Sequence, residues 1–169
     1  MRRFVFTTIS VGSLALSLGS GVAANGGATV ETFPVSFVLS SATCPNLPGG
    51  TELTGSGTGK SITTTGTDGD SGVIVRNTTH AHGTATDQDG NTYVFNYSNE
   101  FRATLDGGVY SGFMTDAFAL AGPGPAQLNN GFAGHFESDF ATFFTLPVVI
   151  SSHGDPLDFV TGGVHCDPL

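Results

Sequence analysis

Apolar and polar residues alternate along most of this chain with a period of two, the pattern of strands that bury one face. Phe33, Val35, Phe37 and Leu39 alternate with Thr32, Pro34, Ser36 and Val38, which predicts a first strand over 32–39 with one apolar face on a core. Between Thr51 and Thr65 the chain is mainly Thr, Gly and Ser, with Leu53 and Ile62 as its sizeable apolar residues. That composition suits an exposed or strongly bent strand pair and no helix. Residues 66–72 then read as a polar turn.

From Val73 to Thr86 one side carries Val73, Val75, Ala81, Gly83 and Ala85, and the other Ile74, Arg76, Thr78, His80, His82, Thr84 and Thr86. The next segment, 91–102, sets Tyr93, Phe95, Tyr97 and Phe101 against Val94, Asn96, Ser98, Glu100 and Arg102. Asp87-Gln88-Asp89-Gly90 between them is a hairpin signal, and its loop length decides which side is buried. A two-residue Asp89-Gly90 turn pairs His82 with Tyr97 and turns the histidines in among the aromatics. A three-residue loop puts Gln88 and Asp89 in a type I turn and Gly90 in the left-handed position. It pairs Ala81, Gly83 and Ala85 with Tyr97, Phe95 and Tyr93, and His80 and His82 with Ser98 and Asn96. Small then faces large and polar faces polar, so this register is the expectation.

Asp106-Gly107-Gly108 makes another turn, 109–120 continues as a strand, and Gly122-Pro123-Gly124-Pro125 and Asn129-Asn130-Gly131 break the chain again. Phe132, Phe136, Phe140 and Phe144 recur every four residues, which also fits one stripe of a helix. Gly134, Ser138 and Thr142 between them are poor helix formers, so a long strand with His135, Glu137 and Asp139 outward is the better match. Pro147 bends the chain before a last strand over 157–166. The sum is a single all-β domain, a small antiparallel β-barrel or β-sandwich of about eight strands. A barrel is preferred because wrapping a sheet brings first and last strands together.

The leader changes where this domain is expected to work. Arg2 and Arg3 precede an apolar run from Phe4 to Leu18 and the small residues Gly21-Val22-Ala23-Ala24, the layout of a cleavable secretory signal. Thr7, Thr8, Ser10, Ser13 and Ser17 interrupt the run, which falls short of the ~20 apolar residues of a membrane span. Cleavage after Ala24 divides the chain into a signal over 1–24 and one secreted domain over 25–169 with no later membrane span. Secretion to the extracellular space or cell envelope also makes a disulfide between Cys44 and Cys166 the expected state of this lone pair. It would tie the two ends of the domain.

Charge excludes partners without naming one. The chain carries 14 acidic residues against 5 Lys and Arg, and after cleavage Lys60, Arg76 and Arg102 are the cations left, so nucleic acid and anionic membranes are repelled. The acids are scattered, as on a soluble surface.

His80 and His82 project to one side of a strand and can share a transition metal; His135 and Glu137 have the same spacing. Adjacent strands would make these four a hydrolytic metal centre with an open position for water, although nothing in the sequence places them together. Asp87, Asp89 and Asn91 have calcium-loop spacing, but Thr92 stands where the loop needs Gly and Ser98 where it needs Glu. The segment Gly57-Thr58-Gly59-Lys60-Ser61 lacks the first glycine of a phosphate-binding loop, and no Gly-x-Ser-x-Gly elbow occurs. No catalytic or cofactor residue is assigned, and no cofactor. Fourteen Phe and three Tyr with no Trp either fill the core or line a cavity for a small apolar ligand. The expectation is a secreted, non-enzymatic β-barrel binding such a ligand. The alternatives are a metal-dependent enzyme using the histidines and a passive envelope or surface protein.

Four segments, Thr-Cys-Pro at 43–45, Gly-Ser-Gly-Thr-Gly-Lys-Ser at 55–61, the run from Asn77 to Tyr93, and His-Cys-Asp-Pro at 165–168, give most of the mature chain a resemblance. It resembles small exported bacterial proteins of the actinobacterial type whose role is not established. The resemblance implies export and brings no catalytic residue with it.

Overall fold

A computed structural model describes residues 27–67, 72–106, 109–139, 148–154, 157–158 and 165–166. Seven strands make one antiparallel sheet in chain order: β1 (Ala28–Ser40), β2 (Glu52–Thr67), β3 (Val73–Asp87), β4 (Thr92–Asp106), β5 (Val109–Ala121), β6 (Leu128–Asp139) and β7 (Val148–His153). Two short strands, β8 (Leu157–Asp158) and β9 (His165–Cys166), pair with each other. Among the described residues there is no helix, and hence none long and apolar enough to cross a membrane.

The 87–91 hairpin adopts the three-residue loop. Gly90 N donates to the Asp87 carbonyl at 3.1 Å and Asp87 N to the Asn91 carbonyl at 3.1 Å, while Gly90 has a φ of 83° that other residues enter at a cost. Ala81, Gly83 and Ala85 therefore pair with Tyr97, Phe95 and Tyr93, and His80 and His82 with Ser98 and Asn96. The Asp87 carboxylate holds this corner together. Its Oδ1 accepts from Asp89 N at 3.0 Å and Asn91 N at 2.8 Å, and its Oδ2 from Asn91 Nδ2 and the Tyr93 hydroxyl, both at 2.8 Å.

Phe37 on β1 lies 5.0 Å from the Phe95 ring on β4 and 5.8 Å from Phe118 on β5. Four strand spacings in a flat sheet would separate β1 from β5 by about 19 Å, so the sheet is strongly rolled toward the face bearing these rings. That inner face holds the core: Phe37, Leu39, Leu53, Ala85, Tyr93, Phe95, Phe118, Leu120 and Leu128, with Cys44 and Leu47 of the 41–51 connection closing one end.

Rolling depends on the Gly-rich segment, which differs from the expected bent pair. It is one continuous strand, β2, in which Gly55, Gly57 and Gly59 turn inward and Thr54, Ser56 and Thr58 turn outward. Phe37 sits over Gly55 and Phe33 over Gly59, where a side chain would collide with the rings. These glycines are seats for the aromatics of β1, which is why low apolar content there does not mean exposure.

Two further expectations are corrected. Residues 157–166 are not one strand but hold the paired ends β8 and β9, and β7 was not anticipated after Pro147. The expected strand over the phenylalanine repeat is found as β6, with Phe132 and Phe136 half-buried on the inner side; Phe140 and Phe144 lie outside the described residues. The sheet is not closed: no pairing joins β1 to β7 among the described residues. β7 pairs with β6 at five positions across a register shift between Ala133 and Gly134, and β1 is exposed on both faces over its first seven residues. The bridge expected for Cys44 involves the Cys166 side chain, which lies outside the described residues, as do the leader and Ala24.

Candidate functional site

The four residues singled out as metal candidates all lie on the outer face and do not come together. His80 and His82 are exposed on β3 beside a shallow trough of about 300 Å³, whose floor is Ala117 and Ala119 and whose rim includes Asn96, Ser98 and Asn129. His135 and Glu137 are exposed on β6, with β4 and β5 between them and β3. The sheet register carries His135 through Phe113 and Arg102 to Arg76, four residues along β3 from His80. His135 Nδ1 is 3.3 Å from the Gly112 carbonyl and its ring 5.6 Å from that of Phe113. No cluster of three or more metal-ligating side chains occurs among the described residues.

The inner face carries a feature of a different kind. Glu31, Ser61, Thr79, Asn99 and Asp116 occupy successive cross-strand positions from β1 to β5, forming one polar row across the roll. Asn77 and Thr63 lie in the next row. Asn77 Nδ2 donates to Ser61 Oγ at 2.8 Å and Thr63 Oγ1 at 2.7 Å, and the Thr79 hydroxyl donates to Asn77 Oδ1 at 3.0 Å. These bonds let polar side chains occupy inward positions that a core would otherwise fill with apolar ones. The row runs from Glu31, exposed at the sheet edge, to Asp116, which is 7% exposed.

Two apolar zones lie on either side of this belt. On one side is the packed core around Phe37, Phe95 and Phe118. On the other are Val73, Val75, Phe101, Leu105, Met114 and Phe136, all half-buried, with the rings of Phe101 and Phe136 meeting edge to face at 6.5 Å.

Asp116 is the unusual member of the belt. Its Oδ2 accepts from the Tyr97 hydroxyl at 2.7 Å and from Asn99 Nδ2 at 3.1 Å, whereas its buried Oδ1 has no hydrogen-bond partner. Burial pushes the carboxyl pKa up, and the hydrogen bonds from Tyr97 and Asn99 reverse this only in part. Burial, and then the neighbouring Asp116 charge and hydrogen bond, hold the Tyr97 hydroxyl well above its ordinary pKa. No cation answers this carboxylate: every Lys, Arg and His whose side chain is among the described residues is exposed. An unsatisfied buried oxygen costs free energy and is uncommon in folded proteins.

No protein-family model, curated protein or solved structure matches this chain. The belt was present in the sequence as interruptions of the period-two pattern. Asn77 and Thr79 fall between the inward residues Val75 and Ala81, and Asn99 falls between Tyr97 and Phe101. Polar residues in an inward phase are the signal that the sequence carries for it.

Proposed function

We propose that this chain is a secreted, barrel-like β protein, tied by a Cys44–Cys166 disulfide, that binds a small and largely apolar molecule without transforming it. The observation that carries the proposal is the second apolar zone of the inner face. Phe101, Met114 and Phe136 are half-buried there beside a polar belt with one unsatisfied oxygen, the combination of apolar walls and few polar groups that binding sites use. The signal-like leader supports export, and the rolled sheet supports a holder built on a concave face.

The test is the mass of the exported protein under native and then denaturing conditions. The expected result is a mature chain beginning at Asn25, two hydrogens light, with an organic increment that disappears on denaturation. A bare chain under both conditions overturns the binding role.

A further inference from the structure

We infer that the bound molecule carries a protonated amine, and that this head group sits on Asp116 with its apolar body against Phe101, Met114 and Phe136. This rests on the binding role proposed above and names the ligand's chemistry. Three observations converge on it. Asp116 Oδ1 is buried without a partner while Oδ2 already accepts two hydrogen bonds, so Oδ1 is a buried acceptor that lacks a donor. Among the described residues the inner face supplies no cation, and a cationic donor forms a stronger hydrogen bond to a carboxylate than a neutral one. The same polar row carries a second carboxylate, Glu31, at its exposed end, and the protein as a whole is acidic, so the field draws a cation toward the row and repels an anion.

The test compares octylamine, octanol and octanoate by calorimetric titration of the purified exported protein. Octylamine is expected to bind about tenfold more tightly than octanol, the ratio that one charge-assisted contact supplies, and octanoate most weakly. In Asp116→Asn the octylamine advantage over octanol should disappear. Equal binding of octylamine and octanol in both proteins overturns the amine assignment and leaves the binding role standing. No binding of any of the three, with a bare native mass, removes both. Preference for octanoate also overturns the assignment.

Should the variant not fold, the wild type alone decides. Octylamine stays protonated through the acid range, so its advantage over octanol should vanish as Asp116 is titrated. Tyr97 from β4 is the titratable group bonded to that carboxyl and stays protonated there; Asn99 from β4 and Phe132 from β6 are the neutral neighbours in register. Glu31 at the far end of the row is the other acid on it. An advantage that is constant with pH sinks the proposal.

Discussion

The Tyr97 hydroxyl donates to Asp116 Oδ2 over 2.7 Å, across the β4–β5 pair, while the other oxygen of the same carboxylate is buried with no partner. Tyr97 therefore fixes the direction of a carboxylate that no cation among the described residues neutralises. Sites that bind are where such unpaired groups are kept despite their cost to stability.

Replacing Asp116 by Asn should stabilise the protein at neutral pH by about 1 kcal/mol, because an unpaired buried amide is less costly than an unpaired buried carboxylate. The sign with pH follows from the raised native pKa. Protonation of Asp116 favours the folded state, so its contribution is fully present below the ordinary value of 3.8 and is lost as pH rises through the raised native value. Urea titrations at pH 7 and pH 3 should therefore show the variant's advantage at pH 7 and little of it at pH 3. A variant less stable than wild type at pH 7 would show that Oδ1 is satisfied.

Asp87 should behave in the opposite sense. Burial tends to raise its pKa, but hydrogen bonds from the Asn91 side chain, the Tyr93 hydroxyl and the backbone of Asn91 and Asp89 outweigh it and leave the pKa lowered. Its contribution is present above 3.8 and is lost as pH falls through the lowered native value. Asp87→Asn should reduce the melting temperature at pH 7 and flatten its decline on acidification. An unchanged acid limb would mean that other carboxylates govern it.

The comparison of Asp87 with Asp116 shows what was legible in advance. The hairpin register followed from local chemistry, since Asp87, Asp89 and Gly90 match a three-residue loop and the flanking residues pair by size. The rolled sheet hides elsewhere, because Gly55 and Gly59 gain their meaning only from Phe37 and Phe33, which arrive from another strand. Asp116 was not singled out for a similar reason. Its significance lies in Tyr97 and Asn99 on one side and in a missing partner on the other, and a gap in a hydrogen-bond network is not written in spacing. β7 was missed because its pairing with β6 is short and irregular.

Cys44 is fully buried at the end of the core, and the proposed bridge to Cys166 would stabilise the folded state by up to about 4 to 5 kcal/mol in the chain-entropy model for a loop of this length. Reduction under native conditions should lower the melting temperature markedly, and a Cys44→Ala, Cys166→Ala double variant should reproduce the loss. Mass mapping of non-reduced peptides checks the link. Two alkylatable thiols in the purified protein would dismiss it.

The opposite faces of β3 give a direct test of the register. His82 and Gly83 are neighbours in sequence, yet His82 is exposed while a Cβ on Gly83 would meet the Phe95 ring and the Gly57 Cα, both at 2.6 Å, as well as the Ser56 carbonyl. Adding one methyl in Gly83→Ala must push apart β2 and β4 at once, an overpacking that costs about 1–3 kcal/mol. His82→Ala removes a whole imidazole from a solvated trough and should stay within about 0.5 kcal/mol of wild type. Denaturant midpoints of the two variants measure the contrast. The alternative two-residue turn reverses it, burying His82 among the aromatics and exposing Gly83, so a costly His82→Ala with a silent Gly83→Ala would overturn the pairing of β3 with β4.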